Sequence, residues 1–63
     1  MNREELEKKY GDVWDTKELV REFEVISFLA PYVTVINRIS GKRGTMTFQD
    51  SPRFYFNFIQ GTN

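Results

Sequence analysis

A chain of 63 residues with neither cysteine nor histidine has few ways to stay folded and fewer ways to do chemistry. A domain of about 60 residues hides only roughly 60% of the surface that its unfolded chain exposes, so its core is marginal. Disulfides, a bound metal or oligomerisation usually make up the difference. Without cysteine, disulfides, thiolate chemistry and cysteine-type zinc sites are excluded. Without histidine, the commonest metal ligand and the usual general base near neutral pH are missing as well. Oligomerisation is left, beside a core rich in rings: six Phe, three Tyr and one Trp make up 16% of the residues. Rings bury much apolar area each and are enriched at subunit interfaces, so a homo-oligomer is expected.

The same missing inventory argues against an enzyme. Acid–base work would fall to carboxylates or Tyr with shifted pKa values. Nearly all the acids lie in the helical segments at solvent-like spacing, and Asp50 stands apart. No carboxylate set has metal-ligand spacing on one face. No catalytic residue, metal site or cofactor is therefore assigned. Residues 1–24 carry eight acids and five bases, a net of −3, whereas residues 25–63 carry one acid and four bases, a net of +3. This is either the ordinary excess of charge on helices or an anion-facing sheet. There is no run of about 20 apolar residues, and the start, Met1-Asn2-Arg3-Glu4-Glu5, lacks the apolar stretch of a secretion signal. A cytoplasmic location without membrane contact is the expectation.

Local signals give an α+β fold in one domain, with one or two short N-terminal helices followed by an antiparallel meander of three to four strands. Asn2 with Glu5 forms a capping box that opens a helix over about 2–10, and Gly11 is its stop. Only Leu6 and Tyr10 line its apolar stripe, so it is either loosely docked or completed by a partner chain. Asp15 with Glu18 is a second capping box, flanked by the staple pair Trp14 and Leu19, and opens a helix over about 16–22, with Thr16 as the competing cap. Strands follow at about 24–30, 32–39, 45–49 and 53–59, rich in β-branched and aromatic residues. Pro31 marks an edge, bulge or turn, residues 40–44 form a hairpin loop, and residues 50–52 form a turn.

Alternation then assigns faces. Phe54, Phe56 and Phe58 fall on one side with Met46, Phe48, Val33, Val35 and Ile39. Arg53, Tyr55 and Asn57 fall on the other, with Thr45, Thr47, Tyr32, Thr34, Arg38 and the less apolar placement of Ile36. Tyr rings stack on bases and guanidinium groups pair with phosphates, so this second face suits a nucleotide or a single strand. The bland reading is a half-solvated sheet face where Thr and Tyr are common. The loop Gly41-Lys42-Arg43-Gly44 is either an anion cradle or a tight basic hairpin. In Ser51-Pro52-Arg53, the proline holds Ser51 extended and sets where Arg53 emerges; Arg53 either contacts an anion or pairs with Asp50 across its own turn.

The strings Tyr10-Gly11-Asp12-Val13-Trp14-Asp15-Thr16-Lys17-Glu18-Leu19, Phe23-Glu24-Val25, Ala30-Pro31 and Phe48-Gln49-Asp50-Ser51-Pro52-Arg53-Phe54-Tyr55-Phe56 resemble a group of very small uncharacterised proteins of phage, prophage and mobile elements. The resemblance covers about residues 10–58 and carries no catalytic or binding residues with it. It implies a phage or mobile-element setting, hence the host cytoplasm, where small oligomers often act by binding host molecules. Together these readings predict a non-enzymatic, homo-oligomeric binding protein that sequesters a nucleotide-like signal or blocks a host protein. The expected ligand residues are Arg53, Tyr55, Asn57, Arg38, Lys42 and Arg43. The alternatives are a nucleic-acid-binding module on the same face and a pure protein–protein interaction module.

Overall fold

The computed structural model describes residues 1–61. Seven elements follow one another: α1 (Arg3–Tyr10), β1 (Val13–Trp14), α2 (Thr16–Glu22), β2 (Phe23–Leu29), β3 (Tyr32–Asn37), β4 (Arg43–Gln49) and β5 (Phe54–Gln60). The strands form one antiparallel sheet in the order β1-β5-β4-β3-β2. This is the α+β architecture expected, with β1 as an additional strand at the edge beside β5.

Both helices start where the sequence places them. The Asn2 side chain accepts from the Glu5 amide and the Glu5 carboxylate accepts from the Asn2 amide; Asp15 and Glu18 do the same for α2. Each box satisfies two backbone donors that a helix start leaves orphaned. Gly11 ends α1 at φ 90°, with its amide donating to the Glu7 carbonyl. β3 stops at Asn37, two residues earlier than expected, because the Asn37 side chain accepts from the amides of Ile39 and Ser40 and turns the chain. Ile39 consequently leaves the apolar face and is 95% exposed. Gly44 belongs to β4 rather than to the loop, and a Cβ there would sit 2.5 Å from the Phe58 ring.

The sheet is curled. Adjacent strands lie about 4.8 Å apart, so a flat sheet would hold β2 roughly 14 Å from β5 and roughly 19 Å from β1. Yet the Phe23 ring of β2 lies 5.4 Å from that of Phe58 on β5 and 5.4 Å from that of Trp14 on β1. Two bulges help the bend. One interrupts β2 between Val25 and Ser27, and the other sets Asn57 and Phe58 of β5 against Met46 of β4.

Curling gives the sheet an inner and an outer side. The inner side, closed by α2, buries Leu19, Phe23, Val33, Val35, Met46 and Tyr55, with Trp14, Val25, Phe48 and Phe58 packed around them. On the outer side α1 covers a smaller cluster of Leu6, Val13 and Phe56, bordered by Phe54. The thin stripe of α1 thus docks on its own chain, with Leu6 fully buried and the Tyr10 ring 4.7 Å from that of Phe56. Burying one Leu contributes about 2–3 kcal/mol, so α1 is held lightly. Arg3 reinforces it, donating to the Val13 carbonyl at 2.9 Å and pairing with Glu18 of α2 at 2.9 Å and Glu7 at 3.3 Å. Burial pulls the Arg3 pKa down, but the hydrogen bonds and charges of Glu18 and Glu7 outweigh it and the net shift is upward.

Candidate functional site

The bulge in β5 overturns the expected face assignment. Strict alternation puts Phe54, Phe56 and Phe58 together, but Asn57 adopts φ 58° and adds a residue to the strand. Phe54 and Phe56 lie on the outer side, whereas Phe58 joins the inner one. Tyr55 lies inside as well. Expected on an open face, it is only 3% exposed, because Phe56 and Phe54 turn outward beneath α1 and leave Tyr55 facing the core.

Nor does Arg53 reach for a ligand. Its guanidinium lies 4.7 Å from the centroid of Phe48, donates to the Tyr55 hydroxyl at 3.1 Å and pairs with Asp50, the Nε–Oδ1 distance being 2.6 Å. The hydrogen bond to Tyr55, followed by that to Asp50, raises its pKa. The competing reading of an Arg spent within its own turn is what the structure contains. Nor is Ser51 extended; it takes φ 54° before a cis bond to Pro52.

The remaining expected residues sit at the other end of the sheet. Arg38 donates to the Val20 carbonyl at 3.0 Å and so caps the C-terminal end of α2, where a cation is favoured. Lys42 and Arg43 are exposed in and after the hairpin turn, whose Gly41 takes φ 74°. Arg43 and Gln49 are the two ends of β4, so Lys42 and Arg43 stand about 20 Å from the Arg53 turn. Asn57 is exposed at its bulge. The six expected ligand residues therefore do not gather on one surface. The outer side away from α1 carries exposed Tyr32, Thr45, Arg43 and Glu24 around half-buried Thr34, Ile36 and Thr47.

Two other surfaces stand out. The first is the far half of β2, an edge strand with no neighbour beyond it among the described residues. Ile26, Phe28 and Leu29 are 42, 54 and 79% exposed there, and Tyr32, paired with Leu29 across the turn, is 54% exposed. The second is a cleft of about 310 Å³ in the seam where the curled sheet fails to close. Tyr10, Trp14, Phe23 and Phe58 wall it with rings, and Asp12, Glu22 and Asn37 complete the lining. The Trp14 and Phe23 rings stand at 86° to each other, forming a corner. Glu22 accepts from the Trp14 indole N–H through one oxygen at 3.1 Å. An adjoining hollow of about 230 Å³ continues past Trp14 to Glu18 and Arg3. Sequence reasoning passed over both surfaces: Asp12 and Glu22 read as solvent-exposed helix charge, and only the curl brings them to the same rings.

Among the described residues, no three of Asp and Glu come together as metal ligands, and no helix is long and apolar enough to cross a membrane. Comparison with protein-family models, with curated proteins and with solved structures returns no match, so these two surfaces carry the functional argument.

Proposed function

We propose that this chain is a non-catalytic interaction protein that works as a homodimer joined through the far half of β2. The observation that carries the reading is an unpaired strand edge flanked by exposed Ile26, Phe28, Leu29 and Tyr32. Natural edge strands are usually guarded by Lys, by Pro within the strand, by a bulge or by very short length. β2 is seven residues long and carries Glu24 as its only charge. Its one guard is the bulge between Val25 and Ser27, and Ser27, Phe28 and Leu29 beyond it pair regularly with β3 and leave their outer edge bare. An antiparallel strand edge is self-complementary, since each N–H and C=O finds its match on a second copy related by a two-fold axis.

Size sets what else must take part. A standard interface covers about 800 Å² per partner, nearly a fifth of this chain's 4428 Å². One strand edge does not supply that. Leu29 and Tyr32 on the outer side must join it, which agrees with their exposure. In the phage or mobile-element setting that the sequence pattern implies, the dimer would engage a host protein. The nucleotide-sequestering and nucleic-acid versions of the reading lose their support, since the residues chosen for them are dispersed or internally engaged.

Sedimentation equilibrium tests the assembly. The wild-type chain should sediment as a dimer between about 10 µM and about 1 mM, the range in which a micromolar contact is populated. Leu29→Lys should sediment as a monomer with an unchanged far-UV spectrum, because Leu29 makes little contact within its own fold. A wild-type monomer at the top of that range would remove the proposal.

A further inference from the structure

The seam cleft combines four aromatic rings with two carboxylates, and among the described residues no basic side chain lines it. Arg38, close by, is turned onto the Val20 carbonyl, and Arg3 in the adjoining hollow is held by Glu18, Glu7 and the Val13 carbonyl. Aromatic faces attract cations through the negative potential above the ring, with Trp the strongest. Carboxylates add charge-assisted hydrogen bonds to any cation that carries N–H groups. Glu22 uses one oxygen on the Trp14 indole, which fixes the carboxylate beside the ring and leaves the other oxygen for a ligand. Asp12 has no hydrogen-bond partner for its side chain among the described residues and is exposed at the cleft rim. At about 310 Å³ the space is at the lower end for small-molecule sites. It admits a planar cationic head on an alkyl chain.

From this geometry we infer that the seam cleft is a binding site for an alkylguanidinium cation, stacked on the ring of Trp14 and paired with Asp12 and Glu22, the Tyr10 ring being already engaged by Phe56 and by the Lys9 ammonium 5.4 Å from its centroid. Guanidinium fits better than a compact ammonium because it is flat, stacks on rings and presents a fork of donors to a carboxylate. The head would come either from a free small molecule or from an arginine side chain of a peptide, and the chemistry is shared. The inference does not depend on dimerisation, because the cleft-lining residues are not those of the exposed far half of β2.

Trp14 is the only tryptophan, so its fluorescence reports on the cleft and on the hollow that adjoins it. Butylguanidinium, the neutral isostere butylurea, and the peptide acetyl-Gly-Arg-Gly-amide would each be titrated at constant ionic strength. Saturable quenching is expected from butylguanidinium or from the peptide, with the tighter of the two identifying the source, and none from butylurea. The Asp12→Asn, Glu22→Gln double variant should bind about tenfold more weakly. It keeps an oxygen for the Trp14 indole, so its fold is preserved, which its far-UV spectrum would verify. The site would be refuted by no saturable response to either cation, by equal binding of butylurea, or by unchanged affinity in the double variant.

Discussion

Asn57 alone decides which rings of β5 face which side. A non-glycine residue in the left-handed region costs roughly 1–2 kcal/mol, and Asn tolerates it better than most. Asn57→Ala should therefore lower stability by about 1 kcal/mol, whereas Asn57→Gly should leave it unchanged or raise it, both read from urea midpoints. Equal losses in the two variants would show that side-chain contacts rather than backbone conformation hold the bulge. The residue also explains why the face of Tyr55 was not legible in the sequence. Alternation has a period of two and carries no mark where a strand gains an extra residue. Val33, Val35 and Met46, on strands that themselves gain no extra residue, were assigned correctly from the same rule. Arg53 was legible only as two options, because its pairing with Asp50 depends on how the 50–53 turn closes.

Among the elements, those whose signals are local could be read directly. Both capping boxes join residues three apart, so a short window contains the whole interaction. Asp15→Ala should cost about 1 kcal/mol, since it frees the Glu18 amide, while the backbone amide of residue 15 still donates to the Glu18 carboxylate that holds Arg3. Asn2→Ala should cost less, because α1 buries only Leu6; thermal melts of the two variants would rank them. β1 escaped notice for the converse reason. Two residues have no period, and Val13 and Trp14 become a strand only because Phe56 and Tyr55 lie opposite them. β2 was placed within a residue at each end, yet nothing in it announced that it would lie at the edge. Strand order depends on pairings far apart in sequence.

For the whole molecule, the two-sided arrangement of the core predicts how stability is distributed. β3 and β4 are paired on both sides and carry Val33, Val35 and Met46, which are fully or almost fully buried. Native-state hydrogen exchange should find the slowest amides there, and α1 should open at a lower free energy than the sheet. Uniform protection across α1 and β3 would contradict that division. The curl behind it was not legible in the sequence, since it arises from two bulges acting on five strands together. It also limits how far copies can join. The β1 margin offers only two paired residues, and both helices pack against it. A second chain that adds to β2 covers the longer margin, and filament growth, the ordinary hazard of a bare sheet margin, would have to start from the short stretch of β5 that β1 leaves unpaired.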